Sequence, residues 1–86
     1  MRLNKIPKIG DYLKFYYTHK KDEFVIVKII GSEPDNSFIM KRIYTNVYVW
    51  KYCIGEIIEE EYPFTQFDST ISIELINEDD VIMEML

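Results

Sequence analysis

The chain contains no alanine, one cysteine, one histidine, three glycines and three prolines in 86 residues. Alanine is the strongest helix former, whereas β-branched residues such as the fourteen isoleucines favour strands. A lone cysteine excludes an internal disulfide, and one cysteine with one histidine cannot supply the four ligands of a structural zinc site. We therefore expect a β-rich domain that holds no metal and no cofactor.

Basic residues are missing from the whole C-terminal part of the chain. No lysine or arginine follows Lys51, whereas the segment from Glu56 to Leu86 contains ten acidic residues. The first 55 residues contain ten basic and five acidic residues, together with ten of the thirteen aromatic residues. The net charge of −5 therefore conceals a basic, aromatic-rich part and an acidic part, which favours a binding domain over an enzyme.

Long hydrophobic runs are also missing. No apolar stretch approaches the roughly 20 residues that a membrane helix needs, and the N-terminal residues lack the apolar run of a signal peptide. We expect a cytoplasmic protein that does not contact membranes. The length suits one domain, with an extended lead-in at residues 1–9, a β-barrel at residues 10–76 and a C-terminal helix at residues 77–86.

Alternation of side chains with period two predicts a series of short strands. They are expected at Tyr12–Tyr17, Glu23–Ile30, Ser37–Tyr44, Val47–Tyr52, Glu56–Tyr62 and Thr70–Ile76. Polar turns separate them, Phe64–Ser69 is interpreted as a loop with two aromatic residues, and Thr45-Asn46 is interpreted as a two-residue hairpin reversal. Because Glu23–Ile30 is apolar on both faces, we expect it at the centre of the sheet.

The period changes after Asn77, which is a good helix N-cap. Glu78, Asp79 and Asp80 follow it and place negative charge where the N-terminus of a helix favours it. A short C-terminal helix is therefore predicted. The alternative is a final edge strand, because the apolar residues from Val81 onward also alternate.

These elements predict a mainly β fold, a small antiparallel barrel of five to six strands with a short C-terminal helix. The opening IGDYLKF and the strands FVIVKII and SFIMKRIY, over residues 9–62, resemble SH3-like barrels, including Tudor and KOW-type domains. The resemblance implies a non-catalytic domain that binds peptides, modified side chains or nucleic acid. The acidic signature by which true SH3 domains bind proline-rich ligands is absent, so only the fold is transferred.

No residue pattern points to catalysis. His19 lies in a polar turn beside two lysines. Cys53 lies between hydrophobic sequence neighbours and lacks the adjacent cations that activate a thiol. The glycines are isolated, so no phosphate-binding loop exists. Asp80 and Glu84 would share a helical face, but no calcium-loop pattern surrounds them. We do not expect an enzyme.

Two sets of residues are candidates for binding. The first combines aromatic rings with cations and consists of Tyr44, Tyr48, Trp50, Tyr52, Lys41, Arg42 and Lys51. If Tyr48, Trp50 and Tyr52 share the outer face of one strand, they form a stacking platform for a ligand or a homodimer contact; if they face inward, they belong to the core. The second set is an acidic partner surface formed by Glu59, Glu60, Glu61, Asp79, Asp80 and Glu84.

The leading hypothesis is a non-catalytic protein-binding module. Its small size and acidity resemble those of acidic anti-CRISPR proteins, which suggests a phage- or mobile-element-encoded inhibitor or adaptor. The first alternative is a domain that binds single-stranded nucleic acid through the aromatic and basic residues, although the net negative charge opposes it. The second alternative is a structural homo-oligomer, in which the acidic part of one molecule meets the basic part of another.

Overall fold

In the residues that it describes, the computed structural model contains one antiparallel sheet of five strands and one short C-terminal helix, which confirms the mainly β prediction. The elements are β1 (Tyr12–Tyr17), β2 (Lys20–Ser32), β3 (Ser37–Thr45), a 3-10 helix (Tyr48–Cys53), β4 (Ile57–Glu61), β5 (Ile71–Ile76) and α1 (Glu78–Met85). The strand order is β4-β3-β2-β1-β5. The sheet is not closed, so the barrel that the sequence predicts is not confirmed.

The structure describes residue 3, residues 5–64, residue 67 and residues 69–86. The parts of the predicted lead-in and of the predicted 64–69 loop that fall on residues 1, 2, 4, 65, 66 and 68 lie outside the described residues. The predicted central strand Glu23–Ile30 is longer than expected, because β2 begins already at Lys20 and continues through Gly31, which lies at a register shift opposite Ile39. The turn that follows is therefore confined to residues 33–36.

β2 occupies the centre of the sheet, as its two apolar faces predict, and its side chains divide between two clusters. Val27 and Ile29 belong to the first cluster, on one face, and Phe24 and Ile26 belong to the second, on the other face. The first cluster also contains the buried residues Leu13, Phe38, Met40, Phe64 and Ile73. The second also contains Tyr16 and Val81. Each face of the sheet is therefore packed, and each needs its own cover.

Aromatic residues that follow β4 cover the first cluster. Phe64 is almost fully buried, and the ring centroid of Phe67 lies 5.2 Å from that of Phe15 on β1. Phe64 adopts a φ of 67°, a left-handed conformation that is uncommon for a bulky residue. Burial of its whole side chain offsets that strain, so the chain after β4 acts as part of the core.

Helix α1 covers the second cluster. Its Val81 is buried against the face that carries Tyr16. The helix begins as the sequence predicts, since the backbone N–H of Asp80 donates to the side-chain oxygen of Asn77 at 2.8 Å. Lys14 on β1 contacts Glu84 of the helix at 3.4 Å. The helix prediction is confirmed, and the alternative of a final edge strand is wrong.

The predicted hairpin at Thr45-Asn46 and the predicted strand Val47–Tyr52 are both wrong. The hydroxyl of Thr45 donates to the carbonyl of Phe24 at 2.8 Å, and the backbone N–H of Val47 donates to that hydroxyl at 3.1 Å. The backbone N–H of Phe24 donates to the side-chain oxygen of Asn46 at 3.0 Å, and the Asn46 amide donates to the carbonyl of Asp22. Side chains thus replace the backbone ladder on β2, and the chain turns away into the 3-10 helix.

The Asn46 bridge to β2 can be tested by Asn46→Asp. The carboxylate keeps an acceptor for Phe24 but loses the amide donor and faces the carbonyl of Asp22. We expect the free energy of unfolding to fall by about 1–2 kcal/mol, measured by urea denaturation. The matched control is Asn36→Asp, which adds the same charge in an exposed turn. Equal losses in the two variants would contradict a specific role for Asn46.

The second cluster predicts how stability depends on alkaline pH. Burial raises the pKa of Tyr16 above its ordinary value, and so does its hydrogen bond to Glu74, to which the hydroxyl donates at 2.6 Å. Below about pH 10 an unfolded tyrosine keeps its proton, so the stabilisation by neutral Tyr16 is fully present. Above that pH the unfolded chain loses this proton first, and the free energy of unfolding falls.

We therefore expect the wild type to lose stability more steeply than Tyr16→Phe as the pH rises above about 10. Urea denaturation over a series of alkaline pH values measures the difference. Tyr48→Phe is the matched control, because Tyr48 is exposed and the substitution is the same. Parallel pH profiles for the wild type and Tyr16→Phe would show that the buried hydroxyl does not contribute.

Candidate functional site

The 3-10 helix separates the three aromatic residues that the sequence places on one strand face. A 3-10 helix has three residues per turn, so residues three apart share a face. Trp50 and Cys53 form one such pair and are half-buried, whereas the other residues of the helix are exposed. Tyr48 and Tyr52 therefore point in different directions from Trp50. The expected platform of three parallel rings is not formed.

Trp50 and Cys53 border a cleft between the 3-10 helix and the sheet. The cleft has a volume of about 340 Å³, which lies at the lower end of the range for small-ligand sites. Its apolar lining comes from β1, β2, β4, the 3-10 helix and the segment around β5. Among these residues are Phe15, Val25, Val27, Ile54, Ile58, Phe67 and Ile71. The cleft is therefore an extension of the first cluster that is open to solvent.

Aromatic rings form much of the cleft's border. The rings of Tyr17 of β1 and Trp50 have their centroids 6.4 Å apart and their planes tilted by 52°. Tyr52 also borders the cleft and is 81% exposed. Its side-chain hydrogen bond with Cys53 raises the pKa of its hydroxyl above the ordinary value. Flat rings that project around an apolar depression are suited to contact extended apolar groups.

Few polar groups border the cleft. The guanidinium Nη1 of Arg42 contacts Oε2 of Glu56 at 2.6 Å. Arg42 keeps further N–H donors in the same planar group, because a guanidinium carries five. Glu60 borders the cleft beside Ile58, two residues away on the same face of β4. One anchored cation and one carboxylate thus accompany a mainly apolar surface.

The remaining residues of the predicted aromatic and basic set lie elsewhere. Lys41 precedes Arg42 on β3, so its side chain points to the opposite face of the sheet. Lys51 is three residues from Tyr48 and shares its exposed outer face of the 3-10 helix. Tyr44 borders the cleft, but its ring centroid lies 6.0 Å from that of Phe24 in the second cluster. The structure therefore brings only part of the set together at the cleft.

The predicted acidic surface is divided between two elements. Glu59, Glu60 and Glu61 lie on β4, at one edge of the sheet, whereas Asp79, Asp80 and Glu84 lie on α1, which follows β5 at the other edge. Glu56 contacts Arg42, and Glu84 contacts Lys14. Acidic segments therefore flank the basic strands β1, β2 and β3. The charge division along the sequence does not produce two separate halves of the molecule.

Sequence reasoning missed the residues that give the cleft its apolar lining. Phe15 and Tyr17 fall within the predicted strand Tyr12–Tyr17, and Phe67 falls within the predicted loop Phe64–Ser69, so none of them is among the predicted binding residues. One signal was present, because all three aromatic residues of the acidic part occur between Tyr62 and Phe67. Such clustering in a loop indicates burial against another element rather than exposure.

His19 and Cys53 show no catalytic arrangement in the described part of the chain. The His19 ring is exposed and lies 5.9 Å from the ring of Tyr17. Cys53 is free and half-buried. No three His, Cys, Asp or Glu side chains among the described residues are placed to hold a metal ion.

No protein family, curated protein or solved structure matches this chain. The resemblance to SH3-like barrels therefore stays a prediction. Within the described residues, no helix is long and apolar enough to cross a membrane.

Proposed function

We propose that this protein is a non-catalytic protein-binding module whose cleft receives apolar side chains of an extended partner segment. The supporting observation is the cleft of about 340 Å³, lined mainly by aromatic and aliphatic side chains and bordered by few polar groups. Grooves of this kind recur in domains that bind peptides. The same proposal includes an SH3-like fold, because SH3-like domains bind extended peptides in aromatic-lined grooves.

The chemistry of the cleft suggests how each group would contribute. Tyr17, Trp50 and Tyr52 offer ring faces and edges to an apolar or proline-containing segment. The anchored guanidinium of Arg42 is available to a carbonyl or carboxylate of the segment. Rigid aromatic anchors of this kind carry most of the binding energy in many interfaces.

The acidic residues would select the partner. Glu59 and Glu61 are exposed on edge strand β4, close in sequence to Glu60 at the cleft. Their charge would attract a partner segment that carries lysine or arginine and would speed association at low salt. An inhibitor or adaptor, encoded by a phage or a mobile element, would act by occupying such a partner. This role is supported by the size and acidity of the chain.

The cleft proposal predicts which substitution abolishes peptide binding. Peptides selected from a random library against the wild type should bind at least tenfold more weakly to Trp50→Ala, because truncation of a central aromatic anchor costs about 2 kcal/mol. Trp50 is the single tryptophan, so its fluorescence reports binding directly in the wild type. For the variant, a labelled peptide and anisotropy provide the affinity.

Tyr48→Ala is the matched control, because Tyr48 belongs to the same 3-10 helix but points away from Trp50. Its affinity for the selected peptides should stay within about twofold of the wild type. Circular dichroism of both variants checks that the fold is retained. Peptides that bind equally well to Trp50→Ala, or a library that yields no binder, would contradict the proposal.

A specific observation favours the second candidate, single-stranded nucleic-acid binding. Tyr48 and Tyr52 are 85% and 81% exposed, and exposed Lys51 lies between them in sequence. Exposed rings beside a cation are what sequence-tolerant binders of single strands use for stacking. The net charge of −5 opposes phosphate contact, so this candidate ranks below peptide binding.

If this second candidate is correct, labelled single strands should bind at low salt, with an affinity that falls steeply as salt is added. Tyr48→Ala and Tyr52→Ala should each weaken binding by about 1–3 kcal/mol through lost stacking. Met83→Ala, on the helix α1, should leave it unchanged. Absence of binding at low salt would exclude the candidate without affecting the peptide proposal.

A further inference from the structure

Two exposed apolar patches of unlike charge lie at different places on this molecule. The 3-10 patch is defined as Tyr48, Val49 and Lys51, with Tyr48 85% and Val49 65% exposed. The helix patch is defined as Asp79, Asp80, Ile82 and Met83, with Ile82 51% and Met83 70% exposed. Each patch therefore combines neighbouring exposed apolar side chains with charge of one sign.

The helix patch points away from its own sheet. Val81 is buried against the second cluster. Asp79 and Met83 are each two residues from Val81, which places their side chains about 200° around the helix axis from it. They therefore face solvent, on the far side of α1 from the sheet.

The two patches do not cover each other within one molecule. Helix α1 packs on the second cluster, whereas the 3-10 helix borders the cleft, whose lining includes Phe15 and Tyr16. The apolar residues of both patches are each at least 51% exposed, so neither patch is buried against the other in a single molecule. Any contact between the two patches joins different molecules.

Charge favours contact between unlike patches over contact between like ones. Residues 78–85 of α1 contain four acidic residues and no basic residue, whereas residues 47–55 contain Lys51 and no acidic residue. Two helix patches brought face to face would place four carboxylates, those of Asp79 and Asp80 from each copy, at one interface. A helix patch against a 3-10 patch instead pairs Met83 and Ile82 with an aromatic ring, and Lys51 with carboxylates.

We propose that this protein associates with copies of itself head to tail, with the 3-10 patch of one copy against the helix patch of the next. Such an interface is heterologous, so each contact leaves one free patch of each kind. Association therefore continues into chains or rings and does not stop at a symmetric dimer. The cleft residue Trp50 takes no part, so self-association and peptide binding are separable.

Sedimentation velocity over a range of protein concentrations tests the proposal. The wild type should form species larger than a dimer as concentration rises, and salt should weaken them, because the charges are exposed. Tyr48→Glu removes the ring of one patch and adds repulsion toward carboxylates. Met83→Glu removes the apolar centre of the other. Each variant alone should remain monomeric, with an unchanged circular dichroism spectrum.

The decisive measurement is an equimolar mixture of Tyr48→Glu and Met83→Glu. The first variant keeps its helix patch and the second keeps its 3-10 patch, so the mixture should form a two-chain complex that grows no further. Ile6→Glu is the matched control, because Ile6 is 66% exposed outside both patches and the added charge is the same. This variant should assemble like the wild type.

Three outcomes would overturn the proposal. The first is a wild type that stays monomeric at every concentration. The second is a single variant that still self-associates, since a symmetric contact through the intact patch would then be responsible. The third is a mixture that stays monomeric, which would show that the two patches do not bind each other.

Discussion

The need to cover both faces of β2 determines most of this structure. Phe24 and Ile26 point to one face and Val27 and Ile29 to the other, so neither face can be left to solvent. Among the described residues, no second sheet packs on either face of the five strands. The cover comes instead from helix α1 on one face and from aromatic residues after β4 on the other.

The cleft is a consequence of how the first cluster is covered. Phe64 and Phe67 fill only part of that face, and the 3-10 helix borders the remainder through Trp50. The 3-10 helix is present because Thr45 and Asn46 end the ladder between β2 and β3 with side-chain hydrogen bonds. A local competition between side chains and backbone for the same partners thus creates the candidate site.

The described fold and the candidate site differ in how far the sequence predicts them. β1, β5, the central place of β2 and the N-cap at Asn77 were predicted, because each rests on a local pattern of alternation or capping. The predicted strand at Val47–Tyr52 was wrong, since alternation among exposed aromatic residues is not driven by burial. The structure places Trp50 at the border of the cleft, but its predicted pairing with Tyr48 and Tyr52 on one face depended on that strand.

By itself, the sequence determined that the fold is mainly β and where the core strands lie. Its single cysteine also excluded an internal disulfide. The sequence also determined that acidic and basic residues occupy different parts of the chain. Only the tertiary structure decided where those charges meet, because the order β4-β3-β2-β1-β5 sends the acidic segments to opposite edges of the sheet. Strand order and the packing of Phe67 against Phe15 depend on contacts between residues distant in sequence, and no local pattern encodes these.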